Sequence, residues 1–343
     1  MLKLLYVYRF ATLGGVERVL ISRAEAFRDH QVPVKIFLYF FKDLGAIDKL
    51  NNYFALHELS DNIQIVNRID ENQYDFIISI DTPQILKFNI SKSKLLFECH
   101  TTYLNSRKYL MELPAEVRVI VVPSSGMKTT LAQERPELKN KIVVVRNYVP
   151  EDTTSYHGGR IWVKRPLLYL GRMDEHKNIC ELLDVFAYYR SHYGDDMMLV
   201  LVGMSAETIN LPQELQQRNL TDRAVVLPPV GFDKVNRLYS LIKKHGGIFM
   251  SSSVAESFGL SAAEAMVNGL PVLLSGTHAH VDLVEGNMNF LYPLGNVPTG
   301  AGKLKHIVDN YAALLPEIEK CKGQFSVKRF IEDWQLLKDV HAK

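Results

Sequence analysis

The stretch Ser251 to Ser275, SSSVAESFGLSAAEAMVNGLPVLLS, constrains the fold more than any other part of the chain. It reads as a strand end, a tight turn, a short helix, a stop and a second strand. Gly269 can take the left-handed cap and Pro271 cannot continue a helix, so the helix ends between Val267 and Pro271. The apolar run Pro271-Val272-Leu273-Leu274 then reads as a buried strand. The chemistry lies at the turn. Glu256 stands just before the helix, beside Ser257, Phe258, Gly259 and Leu260, and Glu264 lies inside it. A helix N-terminus presents free N–H groups and a partial positive charge, which suits a phosphate. Gly259 lets the backbone approach such a ligand closely.

The eight-residue spacing of the two carboxylates corresponds to roughly 12 Å of helix. Carboxylate pairs that hydrolyse a glycosidic bond sit roughly 5–9.5 Å apart. The spacing therefore fits a long ligand, with one carboxylate on each side of a diphosphate, better than a hydrolytic pair. Two plainer readings stand beside it. Ser261-x-x-Glu264 has the form of a capping box, and Glu256 can be a solvated loop charge.

At 343 residues the chain accommodates two domains. A hydrophobic content of 47% suits buried cores, and a net charge of +2 with no basic block gives no footprint for nucleic acid. Three widely spaced cysteines, Cys99, Cys180 and Cys321, fit neither a disulfide framework nor a zinc cluster and suit a reducing compartment. No apolar run reaches 18 residues, so no spanning helix is expected. The opening MLKLLYVYRF reads as a first strand and not as a signal peptide.

In the first half, Leu2 to Tyr8, Val34 to Phe41, Ile63 to Val66, Phe76 to Ile80, Val119 to Val122 and Ile142 to Val145 read as strands. They alternate with helical stretches, which points to βαβ units and a mostly parallel sheet. Gly14 and Gly15 make a strand–glycine–helix turn before a helix from about Val16 to Asp29, a place for an anion. The turn lacks G-x-G-x-x-G, so a dinucleotide fingerprint is poorly met. Asp81 and His100 follow apolar runs and are expected at carboxyl ends of strands, where open α/β sheets bind ligands. Thr102 to Glu116, with Arg107 and Lys108 among apolar residues, reads as an ordinary amphipathic helix.

Pro150 to Arg160 is polar with paired glycines and reads as a linker. A strand from Trp162 to Leu170 then ends in Gly171-Arg172-Met173-Asp174-Glu175-His176-Lys177-Asn178. Gly171 permits a tight turn, and Arg172 and Lys177 bring two cations to one strand end, where they can neutralise a diphosphate or simply be solvated. Asn178 is a residue that tolerates left-handed backbone. Met197 to Val202 and Ala224 to Leu227 read as strands, and Val230 lies in the proline-rich loop after the second. Val235 to Lys244 reads as a helix, Gly247 to Ser251 as the strand before the opening motif, and Lys328 to Val340 as an amphipathic helix. His278 and His280 lack a nearby third ligand, so no metal is expected.

The sequence E-S-F-G-L-S-A-A-E-A-M-x-x-G-x-P-V closely resembles the E-x7-E motif of retaining GT-B glycosyltransferases of the GT4-like group. G-R-x-x-x-x-K-N resembles that group's phosphate-binding Arg and Lys, with Asn178 where Gly is common. G-G-V-E-R resembles its first loop, and Pro123 to Lys128 its S-x-x-x-K turn. Arg146-Asn147-Tyr148 departs from the group's usual Asn-Gly. The resemblance implies two Rossmann-like domains with parallel sheets facing across a cleft: an acceptor domain over 1–150 with a C-terminal helix about 328–343, and a donor domain over 160–325. It implies transfer of a sugar from a nucleotide-sugar to an acceptor hydroxyl with retention. His100, Arg172, Lys177 and Glu256 would serve catalysis. Gly14, Gly15, Gly171, Val230, Ser257, Phe258, Gly259, Leu260 and Glu264 would hold the donor, with Glu256 on the sugar and Glu264 on the ribose. No cofactor or metal is implied. The acceptor would be a saccharide or lipid-linked saccharide of bacterial surface polysaccharide or glycolipid assembly, and the chain cytoplasmic, with peripheral contact at the inner membrane face left open. A non-catalytic nucleotide-sugar or glycan-binding subunit, or a GT-B sugar-nucleotide epimerase, is the alternative.

Overall fold

The computed structural model describes residues 1–151, 156–159 and 161–341. Of the expected linker, Asp152 to Ser155 and Arg160 lie outside the described residues, as do Ala342 and Lys343 of the expected C-terminal helix. The chain divides into two compact units, Met1–Val149 with Phe325–Lys343, and Pro150–Gln324.

The first unit contains β1 (Leu2–Ala11), α1 (Gly15–Asp29), β2 (Val34–Asp43), α2 (Ile47–Leu56), β3 (Ile63–Ile65), β4 (Phe76–Ile80), β5 (Leu95–Glu98), β6 (Ile120–Val122), α3 (Ser125–Glu134) and β7 (Ile142–Val144). Its seven strands are all parallel, in the order β3-β2-β1-β4-β5-β6-β7. Strands covered on both faces read as continuous apolar runs, which is why β4 is Phe-Ile-Ile-Ser-Ile and β5 Leu-Leu-Phe-Glu. Leu5, Val7, Ile77, Phe97, Ile120 and Val122 form a buried cluster with Met127 and Leu131 of α3.

The second unit contains β8 (Arg165–Leu170), α4 (Ile179–His192), β9 (Met197–Val202), α5 (Leu211–Gln217), β10 (Ala224–Leu227), α6 (Val235–Lys244), β11 (Ile248–Ser251), α7 (Leu260–Val267), β12 (Val272–Ser275), α8 (His278–Leu283), β13 (Leu291–Tyr292), α9 (Val297–Asp309) and α10 (Tyr311–Cys321). Its six strands are parallel in the order β10-β9-β8-β11-β12-β13. Gly203, at the end of β9, is required by a close approach. A Cβ there would lie 1.9 Å from the carbonyl oxygen of Gly171 at the end of β8, and its φ is +141°.

The final helix α11 (Val327–His341) packs in the first unit. Phe330 and Trp334 lie against Phe27 of α1 with ring centroids 5.3 and 5.5 Å apart, and Asp333 receives the Arg146 guanidinium at 2.9 Å.

Three expectations are corrected. The strand assigned from Trp162 starts at Arg165. Thr102 to Glu116 is not an amphipathic helix but a 3-10 segment over Leu104–Met111, whose Arg107 turns inward to pair with Glu134 at 2.5 Å. Ser261 is not a helix cap. Gly259 is the N-cap of α7, at φ +89°, and no side chain caps it. Among the described residues no helix is long and apolar enough to cross a membrane.

Candidate active site

Both sheets reverse strand order beside their first strand, and ligands of open α/β sheets bind at that switch, outside the carboxyl ends of the strands. In the second unit the switch falls between β8 and β11. The two segments singled out from sequence, Gly171 to Asn178 and Ser252 to Gly259, are the loops that follow those two strands.

The structure joins the two loops by an ion pair. Lys177 Nζ donates to Glu256 Oε1 at 2.5 Å, and Ser253 Oγ donates to the same oxygen at 2.7 Å. Glu256 is thus a largely buried, partnered carboxylate, its side chain 13% exposed, which corrects the solvated-charge alternative. Burial pushes its carboxyl up, but Lys177, His280 and the hydrogen bonds from Lys177 and Ser253 outweigh burial and leave it below the usual range. Main-chain bonds reinforce the junction. Val254 N donates to His176 O at 3.0 Å, and Ser252 Oγ donates to Asn178 O at 2.7 Å. Asn178 takes the left-handed conformation, φ 50°, that Gly would take more easily, and opens α4 as its N-cap.

Arg172 and Lys177 share an organiser. Asp174 accepts the Lys177 main-chain N–H at 2.8 Å and the Arg172 side chain. Burial raises the Asp174 carboxyl, and these bonds lower it further, for a net fall. The Arg172 side chain stays mostly exposed, so its charge faces solvent. Tyr169 fixes the turn by donating to Arg172 O at 2.6 Å.

Gly259 places the first residues of α7 without a side-chain cap, so its amides keep capacity for an external acceptor. Phe258 is buried and Ser257 and Leu260 are half-buried. Glu264 lies on the first turns of α7, 7% exposed, within 3.4 Å of the Tyr239 hydroxyl. Only the part of the Glu256–Glu264 spacing from Leu260 onward is helical, so the 12 Å estimate for a continuous helix does not describe the pair. Val230 is half-buried in the loop between β10 and α6.

In the first unit the switch lies between β1 and β4. Gly14 and Gly15 stand at the β1–α1 turn, but the Gly14 amide is engaged. It donates to Glu17 Oε2 at 3.0 Å, while Thr12 N donates to Glu17 Oε1 at 2.6 Å. His100 follows β5. Its Nε2 lies 2.8 Å from Glu98 Oε1, and its main-chain N–H donates to Asp81 Oδ2 at 3.0 Å. Sequence reasoning missed what lies behind it. Arg23 of α1 forks onto Glu98 at 2.5 and 2.9 Å and also reaches Tyr6 Oη at 3.2 Å, all in the core. A glutamate ending the apolar run Leu95-Leu96-Phe97 was the available signal, because a carboxylate is almost never fully buried unless paired. Among the described residues no group of three or more His, Cys, Asp or Glu is placed to hold a metal ion.

Comparison with known proteins agrees with this architecture. Residues 163–318 match the model of the family described as glycosyl transferases group 1. A probable sucrose-phosphate synthase of Thermosipho melanesiensis is 26% identical over 211 residues, which cover 58% of this chain and 45% of that protein. A sucrose synthase of Melioribacter roseus is 25% identical over 165 residues, 43% of this chain and 20% of that one. The chain thus spans less than half the length of these curated relatives. Among solved structures, HepE of Anabaena in complex with UDP and glucose superposes with a TM-score of 0.78 at 15% identity, covering all of both chains. TarM of S. aureus, in complex with UDP among other ligands, gives 0.77 at 13% identity, covering 98% of this chain and 99% of that one. The fold is the GT-B fold, with a parallel α/β sheet in each unit. The residues that match the glycosyl transferases group 1 model all lie in the second unit, so the likeness to that family is carried by this unit.

Proposed function

We propose that this chain is a retaining hexosyltransferase that moves a sugar from a nucleotide-sugar to an acceptor hydroxyl. The observation that carries the reading is the Lys177–Glu256 pair at the strand-order switch, beside the uncapped N-terminus of α7. Negative charge builds on the departing diphosphate as the glycosidic bond breaks. In this reading Lys177, Arg172 and the α7 amides supply the charge that stabilises it, which is electrostatic stabilisation of the leaving group. Glu256 then serves the sugar side and Glu264 the ribose side. The acceptor attacks from the face the diphosphate leaves, with the diphosphate taking its proton, and the anomeric configuration is retained. The leaving-group charge is assigned to protein cations and amides, without a metal ion.

The acceptor is a saccharide or lipid-linked saccharide of surface polysaccharide or glycolipid assembly, reached at the inner membrane face. Exposed Tyr103, Leu104 and Met111 beside Lys108 support a peripheral contact of this kind. HepE and TarM in their UDP complexes support a uridine nucleotide as donor.

The test is a panel of UDP-, GDP-, ADP- and dTDP-glucose, followed by binding, nucleotide release and the anomeric configuration of the product by NMR. Nucleotide release with a retained anomer supports the reading. Binding without turnover reassigns the chain as a binding subunit, turnover without net transfer reassigns it as an epimerase, and an inverted product removes the retaining assignment.

A further inference from the structure

The ring of His280 has no solvent exposure and one nitrogen without a partner. Its Nδ1 lies 2.9 Å from Ser275 O and 3.2 Å from Ser275 Oγ. A carbonyl oxygen can only accept, and the Ser275 hydroxyl donates to Ser253 O at 2.7 Å. The proton of the neutral ring therefore sits on Nδ1, and Nε2 carries a lone pair. That Nε2 is buried without a hydrogen-bond partner. A buried acceptor left unmatched is costly and calls for an explanation.

The free edge of the ring faces the candidate site. A Cβ on Gly259 would lie 3.3 Å from His280 Cδ2 and 3.6 Å from Nε2, so the unmatched nitrogen sits against the N-cap of α7. The charged groups acting on the ring are Glu256 from the β11–α7 loop and Lys177 from the β8–α4 loop. Burial holds the ring neutral. Glu256 and the Ser275 carbonyl favour the charged form, and Lys177 opposes it. The carboxylate that acts on the ring is the one whose charge Lys177 already balances at 2.5 Å.

We propose that His280 is a positioning residue that takes over the Glu256 carboxylate, by accepting a proton on Nε2, when the donor's diphosphate draws Lys177 away. The inference rests on the reading of Lys177 as a diphosphate ligand. One bond forms, Nε2–H, from the ring lone pair and a solvent proton, and no substrate bond breaks in this step. Three changes act together. The opposing ammonium leaves the ring's surroundings, Glu256 loses its cation, and an anion at the α7 N-terminus offsets the positive helix end. The buried carboxylate is thereby kept ionised and in place for the sugar.

The consequence is proton uptake on donor binding. Uptake peaks between the ring's value in the free protein and its value in the complex, and vanishes on either side. Within that window donor affinity falls by up to about tenfold per pH unit as pH rises, and it levels off on either side.

The test uses the nucleotide-glucose that binds in the panel above, whose diphosphate does not titrate near neutrality. Protein labelled with 15N-histidine is observed by ring NMR, and calorimetry in buffers of different ionisation enthalpy counts protons. The expected result is a neutral Nδ1–H ring in the free protein, an imidazolium in the complex, and uptake lost in His280→Asn, whose amide can still donate to Ser275 O. His280→Gln serves if the Asn variant does not fold. A ring that stays neutral in the complex, or uptake unchanged in the variants, overturns the proposal while leaving the donor site intact. Equal affinity in Lys177→Ala, or no binding across the panel, removes the premise and the proposal with it.

Discussion

Replacing Arg23 by Met tests the buried network behind His100. Arg23 and Glu98 side chains are 2% and 1% exposed, and the guanidinium makes two bonds to the carboxylate, at 2.5 and 2.9 Å. Methionine fills much of the volume but strands the carboxylate, leaving only the His100 ring beside it. Breaking a buried pair from one side costs about 3–5 kcal/mol. At the sensitivity of a unit this size, that corresponds to a fall of roughly 6–20 °C in melting temperature. The penalty depends on pH in a defined direction. In the native protein burial raises the Glu98 carboxyl, but Arg23 and His100 bring it far below its usual range. Glu98 therefore contributes stability that is present above its unfolded value, about 4.3, and lost as pH falls through the folded value. Without Arg23, burial dominates and the folded carboxyl titrates above the unfolded one, so the variant gains relative to the native protein as it protonates. Thermal unfolding from pH 7.5 to 4.5 should show a large gap at neutral pH that narrows below about pH 5. A loss under 1 kcal/mol at pH 7, or a gap that does not change with pH, refutes the argument. The double variant Arg23→Met, Glu98→Leu should recover most of the stability, because no buried charge is then left unpaired.

Three further outcomes are expected. Lys177→Ala should lower kcat by about 10²–10³, the scale of losing one preorganised charge-stabilising donor, with circular dichroism unchanged. Steady-state kinetics within threefold of the native protein would count against the role. Glu264→Ala should weaken nucleotide affinity by about tenfold in calorimetry, the scale of one hydrogen bond to a charged group, and unchanged affinity would remove it from the ribose side. Gly203→Ala must push β8 and β9 apart at their ends, since its Cβ would meet Gly171 O at 1.9 Å. It should cost about 1–3 kcal/mol in urea unfolding, and a neutral result would mean that the turn relaxes freely.

The strands were legible because parallel strands buried on both faces are runs of Ile, Leu, Val and Phe. Phe76–Ile80, Met197–Val202 and Ala224–Leu227 keep the bounds that their apolar runs suggest. The two site loops were legible because each combines a glycine turn with charged residues just past such a run. What failed is what sequence distance hides. Arg23, Glu98 and Asn147 lie far apart in the chain and meet through α1, β5 and the end of β7. His280 read as a weak metal candidate because its orphaned nitrogen exists only once Gly259 packs against it. Arg107 looked like a surface charge until Glu134 drew it inward. The Ser261-x-x-Glu264 pattern misled because Gly259, in a left-handed conformation, had already started the helix.

The passage of α11 into the first unit bears on how the protein is made. Phe27 receives Phe330 and Trp334, so the first unit lacks part of its core until α11 has left the ribosome. The second unit, Pro150–Gln324, is fully synthesised before that point. During translation the first unit is therefore completed only after the second, and a chain cut after Gln324 would release a complete second unit tethered to a first unit with an uncovered apolar face on α1.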